Sequence, residues 1–125
     1  MSKRAAGGRK GGPNVAHILF ATHLNELKCT FWQEWDVVRG RKFKWDFVFV
    51  PHGKAWDMKR EGWAVEIDGY HNGRHGAGWG SDNEKMNLAT VNGWRFLRFS
   101  TNQVKDGTAK SFIAEHLLGQ KGREG

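Results

Sequence analysis

The chain has 125 residues, 38% of them hydrophobic, with seven Trp and eight Phe. That length suggests one domain, and that apolar content supplies one packed core and excludes a chain disordered throughout. Twenty Lys and Arg against thirteen Asp and Glu leave a formal charge of +7, which fits a polyanion partner such as nucleic acid.

The single cysteine, Cys29, excludes an intrachain disulfide and a thiolate cluster for structural zinc. No run approaches the ~20 apolar residues of a membrane span. The N-terminus lacks the apolar core of a signal peptide. A reducing cytoplasm and no membrane partner are the expectation.

Residues 1–12, MSKRAAGGRKGG, read as a flexible basic tail, either a nucleic-acid-binding arm or a solvated end. Residues 13–119 read as one domain and 120–125 as a flexible end. Asn14 can cap a helix, and Ala16, Phe20, Leu24 and Leu27 recur at helical spacing, so the first helix is expected over roughly 14–28. His17 and His23 on it, and His116 near the end of the chain, read as surface or packing residues. The stretches TFWQEWDVV and KFKWDFVFV read as two strands joined as a hairpin at Arg39-Gly40. Alternation along the second strand predicts that Phe43, Trp45, Phe47 and Phe49 share one face and Lys44 and Asp46 the other. A polar loop with Pro51 and Gly53 follows.

The third strand, Trp63 to Asp68, carries Glu66 and Asp68 two residues apart, with Val65 and Ile67 pointing to the opposite, core face. Residues 69–80, with five glycines, read as a loop. Its GAGWG lacks the spacing of a dinucleotide fingerprint. Ser81 and Glu84 then form a capping box for a second helix that runs to about Asn92 and ends at Gly93. WRFLRF reads as the fourth strand, STNQVKDG as one helical turn, and about 108–118 as a last amphipathic helix stopped at Gly119. The order is αβββαβα.

If the second and third strands pair, Asp46, Glu66 and Asp68 converge on one patch. Clustered carboxylates repel one another and raise each other's pKa, and a divalent cation relieves that cost. Mg²⁺ takes oxygen donors, uses one or two carboxylates, and completes its shell with water and substrate phosphate. The pattern therefore points to metal-dependent phosphoryl-transfer chemistry on a nucleic acid. The alternative is that these acids only make salt bridges with nearby Lys and Arg. His71, Arg74 and His75 follow in the glycine-rich loop. A His there suits general acid or base work near neutral pH, and Arg74 can clamp a phosphate.

The strand order, with WDF on the second strand and VEIDG on the third, resembles the PD-(D/E)XK nuclease superfamily. More narrowly, EWDVVRGRKFKWDFVF, WAVEIDG, GRH, DNEKMNLA and GWRFLRF are similar to small phage-encoded nucleases of that superfamily and to relatives of the very-short-patch repair endonuclease. The resemblance covers about residues 14–118. It implies an α/β (α+β) fold with a restriction-endonuclease-like αβββαβ core, a mixed sheet flanked by helices. It implies a Mg²⁺-dependent DNA endonuclease, with Mn²⁺ able to substitute, that hydrolyses phosphodiester bonds in recombination, repair or processing, and that can work as a homodimer.

Carried over, Asp46 and Glu66 match the motif acids. Asp68 stands where the superfamily usually has Lys. Either Asp68 is a further metal ligand, or the cation comes from elsewhere: Lys85 first, Lys44 second. Glu34 matches an acid that the relatives carry before the hairpin and joins the metal-ligand candidates. Asp46, Glu66, Asp68, Lys85 and His75 are the catalytic candidates; Arg74, His71, Lys44 and Arg41 are the DNA-binding ones. The alternatives are a branched-DNA resolving or nicking or homing enzyme, and a catalytically inactive nucleic-acid-binding module.

Overall fold

The computed structural model of the chain describes residues 14–51, 57–69 and 76–119. The expected terminal tails, the tip of the loop with Gly53, and His71, Arg74 and His75 lie outside the described residues. In chain order the elements are α1 (Val15–Glu26), β1 (Thr30–Asp36), β2 (Lys44–Val50), α2 (Met58–Glu61), β3 (Trp63–Asp68), α3 (Gly76–Val91), β4 (Phe96–Ser100), α4 (Thr101–Lys105) and α5 (Thr108–His116). The fold is α+β, a four-stranded mixed sheet in the order β1-β2-β3-β4 with helices against it. β1, β2 and β3 pair antiparallel in turn, and β4 joins β3 in parallel. No helix among the described residues is long and apolar enough to cross a membrane.

Local chemistry explains most element boundaries. Asn14 caps α1 by accepting from the His17 amide through its side chain, as its sequence position predicted. The Cys29 amide donates to Leu24 and the Lys28 amide to Asn25, with Lys28 at φ 63. That is a Schellman closure in which a lysine accepts the left-handed conformation. α3 closes the same way on Gly93, at φ 83, with the Trp94 amide donating to Ala89 and the Gly93 amide to Thr90. Ser100 and Gln103 form a reciprocal capping box on α4.

Two clusters fill the two faces of the sheet. On one, Phe47, Phe49, Val65, Ile67 and Phe99 pack against Ala16, Phe20 and Leu24 of α1, Val104 of α4 and Ile113 of α5. On the other, Val37, Phe43, Trp45, Val48 and Ala64 pack with Ala89 of α3 and Trp94. The four aromatic side chains of β2 and its approach therefore do not share a face. Phe43 and Trp45 turn towards α3; Phe47 and Phe49 turn towards α1. Two residues, Asp46 and Phe47, separate Trp45 from Val48, the next on its face, so the alternation breaks at Asp46. The cause is across the hairpin. Glu34, which stands opposite Asp46, has φ 57, and the β1–β2 ladder skips that pair.

Two further differences from the sequence reading concern helices. α3 begins at Gly76, so Ser81 lies inside it and does not cap it. Glycine costs ~1 kcal/mol per helical position, which is why the stretch reads as loop. Extension from the anchored half at Lys85 and Ala89 is cheap once a nucleus exists. The short α2 is set by Asp57, whose side chain accepts from the Lys59 amide; a single turn leaves too little periodicity to be read.

Candidate active site

β2 and β3 pair from Phe49–Trp63 to Phe47–Val65 and then part. Asp46 is the first residue past that point. In place of a ladder bond, the Ile67 amide donates to Asp46 Oδ2 at 2.8 Å. The carboxylate thus sits in the seam between the two strands, tied to the backbone position directly after Glu66. An unpaired buried amide is costly, so this bond both satisfies the strand edge and fixes the side chain. From the α1 side, His17 Nε2 lies 3.5 Å from the same oxygen, its ring edge-on to Phe47 with centroids 5.8 Å apart.

Glu66 leaves β3 on the face that carries Ala64. There it meets Lys85. The ammonium donates to Glu66 Oε1 at 2.7 Å, and the two side chains are only 10% and 14% exposed. Lys85 Nζ also stands 5.3 Å from the Trp45 ring centre. Lys85 is in the third turn of α3, not the first, because the helix starts earlier than its sequence suggests. Ala89, one turn on, is fully buried under the sheet. That contact aims the Lys85 side chain at β3.

The other candidates are placed elsewhere. Asp68 is engaged by Arg98 of β4, which donates to both its oxygens, Nη2 to Oδ1 at 2.9 Å and Nε to Oδ2 at 3.2 Å. The parallel register, Glu66 opposite Arg98, brings Arg98 within diagonal reach of Asp68. Among the described residues, no group of three or more His, Cys, Asp or Glu side chains gathers as a metal cage. Asp46 thus accepts from the Ile67 amide, Glu66 from Lys85 and Asp68 from Arg98. Glu34, opposite Asp46 on β1, lines a groove with Asp36, Lys44 and Asp57. Lys44 is held by Asp36, directly opposite on β1, and that ammonium lowers the Asp36 pKa. Arg41 approaches Glu84 of α3 at 3.8 Å.

Two contributors have little signal in the sequence. His17 is one of several helix histidines, and only the tertiary contact distinguishes it. Trp45 reads as generic core, yet it is the aromatic floor beneath the Lys85 ammonium.

As it stands, the site offers an oxygen donor on each side of the strand seam and an ammonium beside one of them. Asp46 and Glu66 are hard carboxylate donors, the kind Mg²⁺ takes, and two suffice because Mg²⁺ keeps several waters. Asp46 is held through Oδ2, so Oδ1 is the oxygen it can offer a cation. The donor chemistry therefore fits Mg²⁺ without Asp68. No protein-family model, no curated protein and no solved structure matches this chain.

Proposed function

We propose that this chain is a Mg²⁺-dependent DNA endonuclease with a restriction-endonuclease-like αβββαβ core, phage-encoded and acting in the host cytoplasm in DNA recombination, repair or processing. The observation that carries this reading is the 2.7 Å contact between Lys85 and Glu66, beside an Asp46 bonded to the amide that follows Glu66. The strand that resembles the superfamily motif has Asp68 where a lysine is expected; here an ammonium reaches the motif glutamate from α3 instead.

Each residue then has a role set by its position. Asp46 and Glu66 would hold the cation, which when bound would supply Lewis acidity and a water of lowered pKa. Lys85 orients the attacking water from the Glu66 side and offsets the charge that builds on the phosphate oxygens. Trp45 and the burial of the pair keep bulk water from weakening that interaction. Arg98, by pairing with Asp68, would offset the charge of that carboxylate beside the site.

A second reading draws on the same Asp68–Arg98 pair. Carboxylates that each have a protein partner also suit a catalytically silent nucleic-acid-binding module. A cleavage panel separates the two: linear duplex, single strand, mismatch, fork and four-way junction, each with Mg²⁺ and with EDTA. The nuclease reading expects at least one substrate cut with Mg²⁺ and none with EDTA. Tight DNA binding with no cut in any lane supports the silent module. The substrate that is cut separates a junction-resolving from a nicking enzyme.

A further inference from the structure

We propose that the β1–β2 hairpin tip, Arg39 to Lys42, is a preformed clamp for the phosphate backbone of duplex DNA, seated beside the Glu66–Lys85 pair; this rests on the reading that DNA is the substrate. From Val37 to Trp45 the chain carries four cations, Arg39, Arg41, Lys42 and Lys44, and no acid. Lys44 is engaged by Asp36. The other three stand on the turn itself, and all three are exposed.

The turn is rigid where it matters. The Arg41 amide donates to the Val38 carbonyl at 2.9 Å, and the Val37 amide to the Phe43 carbonyl at 3.0 Å. Gly40, at φ 82, supplies the positive φ that a type II turn demands at its third residue. Below the turn, Val37 and Phe43 are buried at 1% and 8% exposure. The Trp94 indole donates to the Val37 carbonyl at 2.8 Å, which locks the base of the hairpin to the core. Cations on such a base are presented with little backbone entropy left to lose on binding.

Position completes the argument. Arg41 reaches Glu84, the residue before Lys85, so the tip stands over the same segment of α3 that supplies the site ammonium. The Arg41–Glu84 pair is 50% and 59% exposed at 3.8 Å, weak enough for a phosphate to replace the carboxylate. A strand whose scissile phosphate sits at Glu66 and Lys85 would thus have flanking phosphates within reach of the tip.

The test measures binding of a labelled duplex in EDTA across a salt series, for the full chain and for the double variant Arg39→Gln/Lys42→Gln. Each lost phosphate contact lowers the slope of log affinity against log salt by about 0.9, so the double variant should lose about 1.8 in slope at unchanged melting temperature. The control is Lys28→Gln/Lys105→Gln, which removes two exposed lysines from the α1 and α4 side and should leave the slope within about 0.3 of the parent. An unchanged slope for the tip variant, an equal fall in the control, or no duplex binding by the parent overturns the clamp. Cleavage is read separately: a tip variant that keeps turnover at saturating DNA but not its slope supports the clamp. A parent that binds with the expected slope but never cuts sinks the nuclease reading and leaves the clamp standing.

Discussion

Replacing Lys85 by Met isolates the ammonium. Met keeps an unbranched stem of similar length over Trp45 and deletes only the charge that touches Glu66. At 10% and 14% side-chain exposure, the pair lies far from the surface regime, where couplings are about 0.2–1 kcal/mol. Removing one member of a fully buried pair costs about 3–5 kcal/mol. The residual exposure lets water reach Glu66, so the cost falls at or just below the bottom of that range, about 2–3 kcal/mol for Lys85→Met. Glu66→Gln alone leaves the ammonium facing a neutral amide and should cost a similar amount. The double variant replaces a charge pair by neutral groups, so its loss should fall short of the sum by about 2 kcal/mol. Urea unfolding followed by Trp fluorescence, in EDTA so that no cation contributes, measures all four corners of the cycle. A coupling under about 0.5 kcal/mol would refute the buried pair and with it the placement of Lys85 at the site.

Asp46→Ala leaves the Ile67 amide without its acceptor and should cost about 1–3 kcal/mol, whereas Asp46→Asn keeps an acceptor, should unfold at nearly the parental urea midpoint, and should still lose divalent-dependent cleavage. Gly62→Ala should destabilise by about 1–3 kcal/mol: its backbone is extended and tolerates any residue, but a new Cβ would stand 2.8 Å from the Phe49 carbonyl oxygen and closer still to Met58 Sδ; a neutral result in the same assay would refute the packing of α2 on β2. Burial, aided by the Lys110 ammonium and opposed by Glu26, lowers the His23 pKa below 6.5. The unfolded chain then takes the proton first, so stability conferred by neutral His23 is present above pH 6.5 and is lost as pH falls through its folded value; His23→Gln should flatten the melting-temperature profile in that window, and an unchanged profile contradicts the assignment.

How much of this was legible without coordinates depends on the residue. β3 was, because Val65 and Ile67 alternate strictly with Glu66 and Asp68 and nothing disturbs the pleat. The caps at Asn14 and Gly93 were, because each needs a specific side chain or a positive φ at one position; the capping box at Ser100–Gln103 was not read, and the one read at Ser81–Glu84 falls inside α3. The facing of Asp46 was not. Period two holds only while the ladder holds, and a positive φ at Glu34 on the neighbouring strand is invisible in β2 itself. Lys85 was nominated for its chemistry, but its approach to Glu66 depends on α3 starting at Gly76, against glycine's weak helix propensity. The fate of Asp68 was hidden for a different reason: its partner, Arg98, lies 30 positions on, and only the parallel register of β3 and β4 brings the two together.

The central claim is that Glu66 serves a cation and a scissile phosphate rather than a salt bridge alone. Glu66→Gln tests it most directly, in paired assays of Mg²⁺-dependent cleavage and of duplex binding in EDTA. Cleavage should fall by at least about 100-fold, the scale of a lost transition-state contact, while duplex affinity holds or rises because one carboxylate no longer repels the phosphates. Cleavage by the folded variant at the parental rate would contradict the claim.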